Sequence, residues 1–270
     1  MKFYVYYWGH NGDALSTRAI LRLLPGAHIG CPSNHAYLFE DLDVWVVPAP
    51  FGDYDLGSLF GVIKYHTERA VALGCQPLSA WCGTYPDLDV RFGHSWQNLL
   101  NTVNRQLLEI DRNMLLPQSQ TPMLDFDLVR SDVPTPHPDM VPVYLENGVT
   151  RSGHGRYEFD VTTLGTLHPN VQFFCTAKPP VSAWPANVVD CSIIDLVSLS
   201  KLSERCRAIV GKGSGPFFCT FTEANRTKPR CVMGYETLAP HKGPFWPYDG
   251  QNTVYLKDGN QLHRFLKELS

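Results

Sequence analysis

YYWGHNGDALSTRAILRLLPGAHIG, Tyr6 to Gly30, holds the unit from which the fold can be read. The run that leads into it, Phe3 to Trp8, is aromatic and β-branched, and this composition predicts a strand. Apolar residues at Leu15, Ala19, Leu21, Leu23 and Leu24 then follow an approximate helical spacing. Arg18 and Arg22, four apart, are expected to share an exposed face of that helix. Pro25-Gly26 stops it, and the segment AHIGC (Ala27–Cys31) reads as a second short strand. Strand, loop, helix, strand is the opening of an α/β domain. In such sheets ligands sit beyond the carboxyl ends of the strands, where Gly9, His10, Asn11, Gly12 and Asp13 fall. On spacing alone, Asn11 or Asp13 serves equally well as a helix cap, and both readings stay open here.

Working outward, Val44–Pro50 predicts a third strand, and Leu56–Gly74 a helix with Gly61 as its weak point. Ser95–Met114 is the clearest helix: Leu99, Leu100, Val103, Leu107, Leu108 and Ile110 form one apolar face, with Ser95 as a cap. SDVPTPHPDMVP (Ser131–Pro142) carries four prolines in twelve residues, a density that favours extended backbone and marks a domain boundary. A second alternation follows. Strands are expected at Val141–Gly148, Asn170–Ala177, Asn187–Cys191 and Arg230–Tyr235. Helices are expected at Tyr157–Leu167, Asp195–Cys206 and Asp258–Leu269. Arg207–Ala224 reads as strand, glycine loop, helix. Two successive α/β halves predict two Rossmann-like domains with mainly parallel sheets facing across a cleft, residues 1–137 and 138–270.

The composition narrows the function classes. A chain of 270 residues buries a substantial core as one large or two small domains. A net charge of −3 gives bulk electrostatics no reason to attract nucleic acid. No stretch approaches the roughly 20 apolar residues of a membrane span, and the opening segment lacks a signal-peptide pattern, so the expected location is the cytoplasm. The eight cysteines include no Cys-x-x-Cys pair, and several sit in apolar runs such as VQFFC, which predicts reduced, buried thiols.

Two stretches carry chemistry in the second half. GKGSGPF (Gly211–Phe217) brings a strand into a helix through glycines and exposes backbone N–H groups suited to phosphate. Gly213 and Gly215 allow close approach, Ser214 adds a hydroxyl, Lys212 adds a cation, and Pro216 is a further donor-binding candidate of the same stretch. The spacing matches neither the Walker nor the dinucleotide pattern, and an ordinary tight turn accounts for it as well. LENGVTRSGHGRYEFD (Leu145–Asp160) empties a strand into a polar loop. There Arg151 suits a phosphate, Asn147, Ser152 and His154 suit hydroxyls or phosphate oxygens, and Gly148 gives the turn. A solvated loop is the competing reading. Glu223 follows the glycine loop and is a further candidate for the same site.

Taken in order, these segments resemble the bacterial heptosyltransferase family of glycosyltransferases. GHNGDALSTRAILRLLPGAHIG (Gly9–Gly30) is similar to the family's opening, with its Gly-Asp pair before a helix. IVGKGSGPF (Ile209–Phe217) resembles the family's diphosphate loop, and SIIDLVSLSKLSERCRAIVG (Ser192–Gly211) the helix and strand before it. The resemblance implies a GT-B fold in which the first domain binds the acceptor and the second the nucleotide-sugar donor. It implies Asp13 as general base toward an acceptor hydroxyl, with His10, Asn11 and Gly12 beside it. It further implies a donor diphosphate held at Lys212–Pro216 without a metal or other cofactor, and a terminal helix able to return to the first domain. The family places an Asp before its Ser/Thr-Gly pair and a His shortly after; here these positions are Gly213 and Phe218, which leaves the donor sugar open. The reading is therefore a metal-independent transferase acting on a nucleotide-sugar and a glycan or other hydroxyl-bearing acceptor. The alternatives are a non-catalytic nucleotide-sugar or glycan-binding protein and a nucleotide-sugar epimerase.

Overall fold

The computed structural model describes residues 1–50, 55–81, 84–85, 96–117, 123–148, 157–179, 183–234 and 252–269, with the Gln97 side chain set aside. The described residues fall into two compact units, Met1–Leu124 and the residues from Asp125 onward.

The first unit is a parallel sheet of four described strands. These are β1 (Phe3–Tyr6), β2 (Ala27–Cys31), β3 (Val44–Pro48) and β4 (Gln76–Ser79), in the order β3-β2-β1-β4. The helices α1 (Asn11–Leu21), α2 (Leu59–Ala72) and α3 (Trp96–Ile110) accompany them. A 3₁₀ segment, Ser33–Phe39, follows β2. β4 is an unexpected strand, since QPLS has no alternating or β-branched pattern to announce it. Among the described strands it pairs only with β1, and at the edge of that sheet a proline such as Pro77 costs no central ladder bond. Gly61 does not interrupt α2, because it lies in the first turn and donates its N–H to the capping Ser58 hydroxyl at 3.1 Å.

The pair Arg18 and Arg22 divides. Arg22 is exposed, whereas Arg18 is wholly buried, with Nη1 and Nη2 each 2.5 Å from an oxygen of Asp41 and Nη1 also donating to the Leu38 carbonyl. Helical spacing showed the two arginines on one side of α1 but could not show that the segment after β2 folds over one of them. α3 buries Leu99, Leu100, Val103 and Leu107 as its pattern requires, while Leu108 stays exposed.

The second unit is a parallel sheet of six described strands, β5 (Val141–Leu145), β6 (Val171–Cys175), β7 (Val188–Asp190), β8 (Ala208–Gly211), β9 (Arg230–Met233) and β10 (Thr253–Leu256). Their order is β10-β9-β8-β5-β6-β7, and every pair is parallel. Strands covered on both faces read as nearly continuous apolar runs, as β8 and β9 do. The helices are α4 (Val161–Leu167), α5 (Leu196–Arg205), the single turn α6 (Gly215–Phe218) and α7 (Gly259–Leu269). Asp160 caps α4 through the Thr163 N–H, and Asp195 caps α5 through the N–H groups of Val197 and Ser198. The proline-rich segment lies along α5: the N–H groups of Arg130 and Ser131 both donate to the Ser198 hydroxyl, and Ser131 Oγ donates to Asp195. The terminal helix α7 buries Leu262, Leu266 and Leu269 in the second unit's own core, which also holds Phe159 and Leu164. The seven described cysteines are all buried free thiols. No helix among the described residues is long and apolar enough to cross a membrane.

Candidate functional site

Strand order fixes where a site can form. In both sheets the first strand of the unit has its successors on opposite sides, β2 and β4 around β1, β6 and β8 around β5. Loops that leave the carboxyl ends of two such neighbours turn to opposite faces and open a crevice between them. In the second unit this point lies between the residues after β5, Glu146 to Gly148, and those after β8, Lys212 to Pro216. Two separate stretches singled out in the sequence thus meet at one edge.

Glu146 organises that edge, and it was missed in the sequence reading. It is 0 % exposed, and its Oε2 accepts the Lys212 backbone N–H at 2.7 Å. Its Oε1 is buried and has no hydrogen-bond partner of good geometry among the described residues, although Ser214 lies close enough to favour the charged form. Burial drives the carboxyl up to about 7, against the opposing pull of the Lys212 N–H, Ser214 and the Lys212 ammonium. Gly211 is glycine for a steric reason: a Cβ there would stand 2.6 Å from Phe217 Cδ2 and 2.8 Å from Glu146 Cβ. One signal could have revealed Glu146, a carboxylate directly after the apolar run Val141–Leu145.

The turn itself is tight. Gly213 has φ +80°, a left-handed conformation that favours glycine. Ser214 is extended and its carbonyl accepts from Phe217 and Phe218 at 2.9 and 3.0 Å. The Pro216 carbonyl accepts the Tyr144 hydroxyl at 2.7 Å, which pins the turn to β5. No partner for the N–H of Gly213 or Gly215 occurs among the described residues. The helix expected after the turn is only the four-residue α6, too short for an appreciable macrodipole, so any anion must rely on the turn's amides and on Lys212. Lys212 is 5 % exposed, its Nζ 5.9 Å from the Phe159 ring centroid.

The remaining candidates of this unit separate. The Asn147 amide is engaged with the Ala177 backbone, donating to its carbonyl and accepting its N–H, both at 2.9 Å, and so ties the β5 loop to β6. Gly148 borders Glu146; a Cβ on it would lie 3.6 Å from Oε1. Glu223 is exposed at the start of a 3₁₀ turn and faces Arg226 at 3.4 Å, while its N–H donates to Asp125. Arg151, Ser152 and His154 lie outside the described residues.

In the first unit the crevice position falls after β1 and β4. His10, extended, is the N-cap of α1, but its side chain makes no capping bond; its carbonyl accepts the Ala14 N–H. Asn11 is exposed, Gly12 accepts the Ser16 hydroxyl through its carbonyl, and Asp13 occupies the first turn at 5 % exposure. Neither Asn11 nor Asp13 is therefore the cap residue. Asp13 lies near enough to Tyr7 to help hold the phenol protonated, after the larger effects of burial and Cys31. Tyr7 shares a 2.8 Å hydrogen bond with His35 Nδ1, and burial together with His10 drives His35 down to about 4, so it is neutral. Beside them Trp8, after β1, stacks on Trp81, after β4, with centroids 4.6 Å apart and planes at 22°. Both indoles are partly exposed. His35 and Trp81 come from segments that show no motif; only the sheet edge unites them with Asp13. Among the described residues no group of three His, Cys, Asp or Glu side chains could hold a metal ion.

No family profile matches the chain, and no curated protein matches it in sequence. Its backbone nevertheless superposes on solved glycosyltransferases along its whole length. The glycosyl transferase family 9 protein of Veillonella parvula gives a TM-score of 0.57 at 10% identity, over 99% of this chain and 90% of that one. Escherichia coli heptosyltransferase WaaC with ADP gives 0.57 at 12% identity, over 100% of both chains. Glycosyltransferase VinC in complex with dTDP gives 0.51 at 13% identity, over 100% of this chain and 91% of that one. The chain has the GT-B fold. At these identities the likeness establishes architecture, and the chemistry has to be argued from the residues.

Proposed function

We propose that the protein is a glycosyltransferase that moves a sugar from a nucleotide-diphosphate sugar to an acceptor hydroxyl without a metal ion. The observation that carries this reading is the junction at the second unit's switch point, where Lys212–Pro216 presents backbone amides and a buried cation at the carboxyl edge of a parallel sheet. A diphosphate fits such an edge, and its developing charge as leaving group would be stabilised by fixed N–H dipoles and by Lys212. Arg151, Ser152 and His154 belong to the same reading as further donor contacts, with Gly148 giving room.

In the first unit Asp13 is read as the general base. A carboxylate at the carboxyl edge of β1, in the favourable first turn of a helix, suits removal of a hydroxyl proton as the new glycosidic bond forms. The stacked indoles of Trp8 and Trp81 suit the apolar face of a sugar ring, which favours a glycan acceptor. Asp13 does not fill the cap position, which counts against the purely structural reading of this residue.

Two measurements test the proposal. A panel of ADP-, UDP-, GDP- and dTDP-sugars should include one that raises the melting temperature; at a hundred times its Kd a ligand adds about 2.7 kcal/mol. With that donor and a glycan acceptor, Asp13→Asn should lower turnover by about 10²–10⁴-fold while donor affinity holds, and EDTA should leave wild-type turnover unchanged. Full turnover in Asp13→Asn refutes the base. Donor binding without transfer to any acceptor favours the binding-protein alternative, and donor isomerisation without acceptor favours the epimerase.

A further inference from the structure

Glu146 is an odd neighbour for a phosphate site. A carboxylate beside the diphosphate would compete with it for the Lys212 cation and would repel it at short range. Yet Glu146 cannot be a solvated bystander, because it is fully buried and holds the Lys212 N–H that shapes the turn. Its two oxygens are unequal. Oε2 is occupied by the N–H at 2.7 Å, whereas Oε1 is buried, bordered by Gly148 and, among the described residues, without a partner of good geometry. A neutral carboxyl fits this arrangement: the carbonyl-like Oε2 keeps accepting the N–H, and Oε1 carries the proton.

We propose that Glu146 takes up one proton from solvent when the donor's diphosphate binds, so that the turn keeps its shape while its local charge is removed. The proposal rests on the donor reading given above. The proton adds to Oε1, no bond to the N–H on Oε2 is broken, and on release of the nucleotide the proton returns to solvent. The groups around Glu146 fit this role among the described residues. Lys212 supplies positive charge from the turn, and Ser214 a polar contact. Tyr144 on β5 is held protonated by burial, and Cys219 after α6 is pushed up to about 12, so neither competes for the proton. Since the free carboxyl titrates near 7, it is largely charged at pH 8 and must be neutralised there at the expense of affinity. Glu146 is thus a positioning residue whose ionisation sets the pH range of donor binding.

Calorimetric titration of the full chain tests this. The probes are ADP-glucose, UDP-glucose, dTDP-glucose and GDP-mannose, whose diphosphate diesters do not titrate near neutrality. Binding is measured at pH 6 and pH 8 in HEPES-type and Tris-type buffers of different ionisation enthalpy. For the probe that binds, the buffer dependence should report about one proton taken up at pH 8 and much less at pH 6. Affinity should fall by up to about tenfold per pH unit above 7. In Glu146→Gln the uptake should vanish and the affinity become level with pH. No uptake by the wild type at pH 8, or equal uptake in folded Glu146→Gln, overturns the proposal. Should Glu146→Gln not fold, wild type with carbon-13 at glutamate Cδ decides. One carboxyl resonance that titrates near neutrality must move to its protonated position when donor is added at pH 8, and an unmoved resonance overturns the proposal. Failure of every probe to bind at either pH overturns the donor reading itself. Binding with no proton uptake overturns this inference alone.

Discussion

Replacing Glu146 by Gln should leave the free protein as stable as the wild type or up to about 2 kcal/mol more stable at pH 8, and about 1–3 kcal/mol less stable at pH 4. The ordinary glutamate value of 4.5 applies to the unfolded chain, and the buried carboxyl of the folded one titrates near about 7. Between those values the folded state holds a proton that the unfolded state has lost, so stability falls as pH rises and levels off above 7. At about 1.4 kcal/mol per pH unit, the whole interval costs the wild type about 3 kcal/mol by pH 8. The Glu146→Gln variant escapes this loss, since the new amide oxygen can accept the Lys212 N–H at every pH. The amide NH₂ takes the place of the unpartnered Oε1, which costs about 1–3 kcal/mol independently of pH. The signature is therefore the slope rather than the absolute difference. Hydrogen exchange of the β5 and β8 amides measures it within the second unit, and comparison of the two proteins at each pH cancels the intrinsic pH dependence of exchange. Wild-type protection should decline relative to the variant between pH 5 and 7.5. Parallel curves over that range would mean that Glu146 is not a buried, raised carboxyl, and the account of the turn would fail with it.

Three other outcomes follow from the packing. Gly211→Ala drives a methyl into Phe217 and Glu146, and should cost about 1–3 kcal/mol of stability, read as a lowered melting temperature; an unchanged value would show that the turn has room to spare. Arg18→Met leaves Asp41 buried without its bidentate partner and should cost about 3–5 kcal/mol in urea unfolding, with most of it recovered by adding Asp41→Leu; equal loss in the single and double variants would refute the ion-pair account. Trp81→Ala should raise the KM for a glycan acceptor and leave donor affinity unaltered, and an unaltered acceptor KM would remove the indole pair from the site.

Much of the architecture was legible in the residues because α/β periodicity is local. β-branched and aromatic runs gave β1, β5 and β6, and the caps Asp160 and Asp195 stand directly before their helices. The glycine turn at Gly211–Gly215 was equally visible, since a backbone at φ +80° favours a residue without a side chain. β4 was not visible, because four residues such as QPLS become a strand only when a neighbour offers its free edge, whereas β10, TVYL, carries a short β-branched and aromatic signal. The fate of individual polar side chains also lay beyond the sequence. Arg18 and Arg22 look alike on a helical wheel, yet the chain after β2 folds over the first and leaves the second in water. Asn147 looked like a ligand group and is engaged with Ala177, while Glu146, one residue before it, faces the turn. Just past the end of β5 two consecutive side chains meet different partners, so a shift of one residue exchanges a structural tie for a buried carboxyl. The sequence by itself determined the α/β alternation and the order of most of its strands and helices. Only the tertiary structure decided which charges lose their water, because that depends on strands and loops far apart in the chain arriving at one edge.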